Sequence, residues 1–443
     1  MVRNNKKMGT LIMLAALQTS LKAEAYELYS SDKGAVNADF ELALGAFHSR
    51  KSYAQSSDIK TGSKDWQESY AKYGFSGWFA TGDAEQSTYG ALNWLSSATY
   101  GQGDAAGWTD GTERTTKIED AYLGWKSGNV FSLLGKDGLD LSVGRQNVIV
   151  GDGFLIAGDA LNLGKSFGDG KFNRGGAYYL TGRKAFDETA VIKIGGKEGL
   201  RSDLMWLKSD NPAQGKAEIV AGTLENVNAL GTVGLTYLKV TDTDEAFDFI
   251  DRKGTRTVSV RAQGNLGHPN LFLSGEYARQ HRNSTGDENA WYTEAGWTFS
   301  DIAWRPYVSY RFSRFSEGYD TLFYGNFRAL GTWFQGEVAS NYSGPFSTNT
   351  RIQQVGLTLT PTDKLTLGAL AYRFDSLSST TGAFSNLDGK ELDVYAMWQV
   401  TDHISAIPLV GFYKPDKDVE SGGSQLGDNR TNVYSQFILQ VKF

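Results

Sequence analysis

Cysteine is absent from this chain of 443 residues, proline occurs seven times and histidine only four times. Without cysteine there is no disulfide framework, no thiolate nucleophile and no cysteine-held metal. The histidines, His48, His268, His281 and His403, show no ligand spacing. No Gly-x-Ser-x-Gly, His-Glu-x-x-His or phosphate-loop pattern occurs. Asp242-Thr-Asp-Glu245 starts like a calcium loop but lacks the later glycine and the closing glutamate. The sequence therefore predicts no cofactor, no metal and no enzyme. Basic residues are outnumbered, 44 against 50 acidic, for a formal net charge of −6. That balance does not suit a nucleic-acid binder. Beyond the first 25 residues, no apolar run is long enough to cross a bilayer as a helix.

Glycine, by contrast, is abundant at 52 residues, and aromatics reach 13%. Together they predict many strands joined by turns. The last nine residues sharpen this. Phe437, Leu439, Val441 and Phe443 share one face of a strand, and Gln436, Gln440 and Lys442 share the other. A strand ending on an aromatic needs a pairing partner, which barrel closure supplies. At the other end, Arg3, Lys6 and Lys7 precede the apolar run Met8 to Leu17, and Ala23-Glu-Ala25 offers small residues for cleavage. Residues 1–25 read as a secretory signal and 26–443 as one domain.

Alternation supports a membrane barrel. Over Trp304 to Phe315, Pro306, Val308, Tyr310 and Phe312 oppose Arg305, Tyr307, Ser309 and Arg311. Over Glu391 to Val400, Leu392, Val394, Ala396 and Trp398 oppose Glu391, Asp393, Tyr395 and Gln399. An apolar face toward lipid and a charged face toward a wet lumen fit this pattern. Short turns at Leu266–Asn270, Ser300–Ala303, Pro361–Lys364 and Thr401–His403 alternate with long polar stretches. This predicts short periplasmic turns and long extracellular loops. The fold class is all-β: a transmembrane antiparallel β-barrel of about 18 strands. Expected strands include 70–80, 138–147, 187–195 and 304–315.

Two segments do not read as spanning strands. Val148–Phe186 is rich in glycine. Glu317–Thr350 includes a strand-like run from Leu330 to Val338 that would break the even strand parity. Both fall on the extracellular side. Either they fold into the lumen as constrictions or they lie over its mouth.

The inward-facing cations are Lys193, Arg261, Arg305 and Arg311. The inward acids are Asp39, Glu41, Asp120, Asp140, Glu276, Glu294, Glu391 and Asp393. They either brace the wall in pairs, Arg261 with Glu276 and Glu294 with Arg305 and Arg311, or meet the solute. Arg145, and Lys165, Lys171, Arg174 and Arg183 in the following loop, are expected to be the least paired and to favour carboxylates.

Lys117-Ile-Glu-Asp-Ala-Tyr-Leu-Gly-Trp125 is followed by Leu139-Asp-Leu-Ser-Val-Gly-Arg-Gln-Asn147, Gly151-Asp-Gly-Phe-Leu155, Ala185-Phe-Asp-Glu-Thr-Ala-Val191 and Tyr319-Asp-Thr-Leu-Phe-Tyr-Gly325. This order resembles the alginate export family of outer-membrane β-barrels across most of residues 115–375. The resemblance implies an 18-stranded monomeric pore. Its best-known member passes a secreted uronate polysaccharide through a basic lumen, whereas the inward charges here are mixed in sign.

The function predicted is therefore a porin-like outer-membrane channel. Its solutes would be hydrophilic, carboxylate-bearing molecules or an acidic polysaccharide such as alginate. The alternatives are a plugged barrel acting as a surface scaffold or adhesin, and a barrel lipid hydrolase with a Ser/His pair at the membrane edge. The partners expected are outer-membrane lipid, the barrel assembly machinery, periplasmic chaperones and the solute, with no nucleic acid.

Overall fold

A computed structural model describes residues 26–56, 59–325, 336–344, 346–379 and 386–443. The expected signal peptide, and most of the strand-like run from Leu330, lie outside the described residues.

Nineteen strands form one sheet: β1 (Tyr26–Ser31), β2 (Gly34–Ser49), β3 (Lys64–Ala80), β4 (Ser87–Gly101), β5 (Arg114–Lys126), β6 (Leu139–Arg145), β7 (Glu188–Ile194), β8 (Gly199–Lys208), β9 (Glu218–Asn228), β10 (Gly231–Asp242), β11 (Arg256–Gly264), β12 (Leu271–Arg282), β13 (Gly286–Thr298), β14 (Tyr307–Phe315), β15 (Thr350–Thr362), β16 (Leu365–Ser376), β17 (Gly389–Gln399), β18 (Ile404–Pro415) and β19 (Asn432–Lys442). Each pairs antiparallel with the next, and β19 pairs back onto β2 from Tyr434↔Ser49 to Lys442↔Glu41. β2 to β19 thus close an 18-stranded barrel, which leaves no sheet edge running its full height. β1 is an additional short hairpin partner of the periplasmic end of β2. No helix among the described residues is long and apolar enough to cross a membrane.

The exterior is the face that alternation assigned to lipid. Val258 and Val260 on β11, Leu392 and Val394 on β17 and Phe437 on β19 are exposed, while Ser259, Arg261, Asp393 and Gln436 between them are buried. All four short turns named from sequence lie at the end that holds the chain termini. The apolar exterior and this layout place the protein in the bacterial outer membrane, with the long loops outside.

Three elements differ from the sequence reading. β3 begins at Lys64 rather than 70, and β1 was not foreseen. β14 begins at Tyr307 rather than 304. Trp304 and Arg305 adopt φ of 66° and 44°, and the Arg305 amide donates to the Ile302 carbonyl at 2.9 Å. Left-handed backbone at two successive residues ends the strand. Arg305 is therefore a turn residue, half-exposed and 3.6 Å from Asp363, not a lumen-wall residue.

The core lies inside the barrel, toward its extracellular half. Side chains of the wall (Phe47, Trp66, Tyr292, Tyr434) pack with loop side chains (Trp108, Phe154, Phe186, Phe323, Tyr342). Phe47 stacks on Trp66 at 5.2 Å, Tyr342 meets Trp66 edge-on at 5.5 Å, and Phe186 meets Phe323 at 5.0 Å. Each large apolar side chain buried this way contributes roughly 1.5–3 kcal/mol to holding a loop inside. The described parts of the two segments that fitted no strand turn inward and bind each other. Ile156 and Phe323 form a parallel bridge, and the Ala157 amide donates to the Phe323 carbonyl at 2.7 Å.

Candidate functional site: the lumen and its inward loops

A loop folded into a lumen must satisfy its backbone donors there. Inward carboxylates of the wall provide many of the acceptors. Glu68 accepts from the Tyr179 and Leu180 amides at 2.9 and 3.0 Å. Glu119 accepts from Lys184 and Ala185 at 2.6 and 2.8 Å. Glu391 accepts from Val338 and Ala339 at 3.0 and 2.8 Å. The Gly151-Asp-Gly tip reaches the far wall, where the Tyr292 hydroxyl donates to Asp152 at 2.9 Å. Gly151, at φ 60°, lies against the Arg261 guanidinium, where a Cβ would sit 2.8 Å from Nε. Asp320 of the second loop takes a bidentate pair from buried Arg252, with both contacts at 2.7 Å.

Three of the expected selectivity cations belong to a structural network instead. Arg174 pairs with Asp159 at 2.9 Å and Asp210 at 3.0 Å. Arg183 pairs with Asp210 at 3.1 Å, and Arg145 pairs with Asp187 at 2.5 Å and Asp210 at 3.0 Å. Burial alone would raise the Asp210 carboxyl, but Arg174, Arg145 and Arg183 together hold it below the usual carboxylate range. Burial pushes the Asp159 carboxyl up despite Arg174 beside it. The expectation that Arg145, Arg174 and Arg183 are the least paired charges is thus corrected: each is largely buried and shares carboxylates. Lys165 donates to the Thr112 carbonyl and hydroxyl at 3.0 and 2.8 Å on the extracellular side, and Lys171 is exposed on the same loop.

The wall residues fall largely where alternation put them. Asp39, Glu41, Asp140 and Lys193 face the lumen and keep contact with solvent, as do Lys72, Arg201 and Asp203, which the sequence did not single out. They belong to the periplasmic half, which the loops leave wet. Lys72 pairs with Asp120 at 2.6 Å, and Arg311 lies 3.6 Å from Glu294, its register partner. Asp140 accepts from the Tyr89 hydroxyl at 2.5 Å. Arg261 faces Glu276 in register but pairs instead with Glu225, on the far side of β10. The residue between them is Gly234, whose missing side chain leaves room for the guanidinium to cross. Arg201 also reaches Glu225, at 2.5 Å. Lys193 is exposed and makes no ion pair among the described residues, although Asp140 and Asp203 flank it in register.

Glu68, Glu119, Asp210 and Lys184 were missed. Glu119 occupies a bulge in β5, so that it and Asp120 are both buried among inward groups, which strict alternation cannot show. Glu68 lies before the expected start of its strand. Burial lowers the Lys184 ammonium. The hydrolase alternative needed a Ser/His pair at the membrane edge. His48 Nδ1 is 2.8 Å from Asp65 and faces Ser435 in register, but no hydrogen bond joins Ser435 to His48. Among the described residues no cluster of side chains could hold a metal ion.

Comparison with solved structures finds the same architecture at very low identity. Pseudomonas aeruginosa OccK5 (OpdH) matches with a TM-score of 0.56 at 10% identity, over 92% of this chain and 98% of that one. Pseudomonas aeruginosa OccK11 (OpdR) gives 0.55 at 12%, over 92% and 96%. Acinetobacter baumannii OccAB4 gives 0.54 at 10%, over 92% and 98%. No family model and no curated protein matches the chain. These likenesses support an outer-membrane barrel without singling out the alginate export family, and the chain has the fold of an 18-stranded outer-membrane β-barrel.

Proposed function

We propose that this protein is an outer-membrane channel for small hydrophilic solutes, with carboxylates favoured over neutral or cationic ones. The observation that carries this reading is the division of the lumen. Its extracellular half is narrowed by two docked loops, and its periplasmic half is lined by wet charged residues. There Lys193 presents a cation that forms no ion pair among the described residues, flanked in register by Asp140 and Asp203, which form none either. Fields of fixed charge focus in a narrow low-dielectric passage, so a lysine held at its surface influences which ion passes. A bore crossed by two loops suits small molecules better than a polysaccharide such as alginate. The barrel is read as a monomer inserted by the general assembly machinery.

Liposomes carrying the protein test this. They should swell faster in small carboxylate salts than in a neutral sugar of similar size, and Lys193→Glu should reduce that preference. Equal rates for all solutes, unchanged in the variant, would contradict it. The aromatic packing of the loops favours one other reading, a plugged barrel serving as a surface scaffold. Liposomes that do not swell at all would support that reading instead.

A further inference from the structure

The barrel wall has a notch. β6 and β7 are seven residues each, the shortest strands of the closed barrel. β6 pairs with β5 only from Lys126↔Asp140 up to Ala121↔Arg145. Above that point β5 continues from Asp120 to Arg114, paired on one side with β4. Its other edge receives no backbone hydrogen bond from any described residue. The charged network of the first loop closes the notch from inside. Outside, it leaves a cavity of about 650 Å³.

The level of this cavity is informative. Tyr73, Trp94 and Ile118 form one row across the outer face of β3 to β5. The next row is hydroxyl-bearing, with Ser96 2.8 Å from Thr116 and 3.3 Å from the Tyr73 hydroxyl. The exterior thus changes from apolar to polar within one step of the strand, as it does at a lipid headgroup layer. The cavity straddles that step. Trp94, Ile118 and Ala121 line it below, and Lys117, Arg145 and Arg183 line it beside Asp187 and Asp210, three cations against two anions. Nε of Arg145 is buried there without a hydrogen-bond acceptor, and Nε of Arg183 has only the Glu119 carboxylate, 3.8 Å away. Hydrocarbon cannot satisfy these donors or an open strand edge. A phosphate and its sugar can.

The geometry points to a binding site for a phosphorylated glycolipid of the outer leaflet. An acyl chain lies over Trp94, Ile118 and Ala121, and the phosphate meets Lys117 and the two guanidinium groups. This site is independent of any solute in the lumen, and its failure would leave the channel reading intact.

Native mass spectrometry of the whole protein with lipid A tests the assignment. Lipid A should remain bound at collision energies that strip its dephosphorylated form. Lys117→Glu should lower the retained lipid about tenfold, the effect of losing one charge-assisted hydrogen bond. Lys117 is outside the ion-pair network, so this variant should keep its fold and its heat-modifiable migration. Ala121→Trp, which fills the apolar floor from the lipid side, should do the same by steric exclusion. Equal retention of the phosphorylated and dephosphorylated forms would overturn the proposal. So would retention unaffected by both variants, or displacement of the lipid by inorganic phosphate at equal concentration. A polypeptide crosslinked at Thr116 in place of lipid would overturn it in favour of strand addition on the β5 edge.

Discussion

Arg174 and Asp159 are both almost wholly buried, so their pairing cannot be treated as a surface salt bridge. Removing one partner strands the other charge. Arg174→Ala should destabilise the protein by about 3–5 kcal/mol, whereas Lys165→Ala, on the exposed side of the same loop, should stay within about 0.5 kcal/mol. Urea unfolding of the two variants in vesicles checks this contrast. Glu337 makes a second residue-level prediction. Its carboxyl is pushed by burial from 4.5 to about 8, while the Tyr179 hydroxyl, 2.5 Å away, pulls the other way. The folded state therefore holds this proton more tightly than a released loop would. The anchoring contribution is full below about pH 4.5, falls as pH rises and is lost by about pH 8. Protease cleavage of the 336–344 segment should rise over that range, and Glu337→Gln should flatten the profile. A flat profile in the unmodified protein would refute the link. Of these residues, alternation disclosed none. Arg174 was visible only as a charge in a loop, and its partner Asp210 comes from another loop, a pairing that sequence spacing does not encode.

At the scale of the strand, the sequence was far more readable, because period-two alternation is a local signal repeated in every wall element. It separated Val258 and Val260 from Ser259 and Arg261, and Phe437 from Gln436. It failed where local backbone breaks the period: at the bulge that makes Glu119 an inward residue, and at Trp304 and Arg305, where positive φ ends the strand early. The early end of β14 changes a depth. Val308 is the second residue of its strand, near the periplasmic interface, whereas Val260 is central in β11. Val260→Arg should cost about 2–4 kcal/mol and Val308→Arg only about 0–1 kcal/mol, since the penalty falls toward the interface. Folding equilibria in defined vesicles measure both, and equal penalties would mean that β14 starts where alternation first placed it.

The whole molecule is a wall that the sequence predicted and an interior that it did not. Strand parity, turn placement and closure by the last strand all follow from signals spread along the chain. Whether the two long extracellular segments turn inward depends on contacts between residues far apart, such as Phe186 with Phe323 and Glu391 with Val338. Sequence left that choice open, and the structure resolves it: the described parts of both dock inside. An 18-stranded barrel without such loops would hold a wide aqueous channel. The docked loops thus narrow the space that such a wide channel would leave open. The measurement that bears most directly on this is single-channel conductance in planar bilayers, compared between the complete protein and a variant lacking residues 160–180. Discrete steps are expected for the complete protein and clearly larger steps for the deletion, with heat-modifiable migration retained in both. A folded deletion with unchanged conductance would place the loop outside the passage and contradict the account.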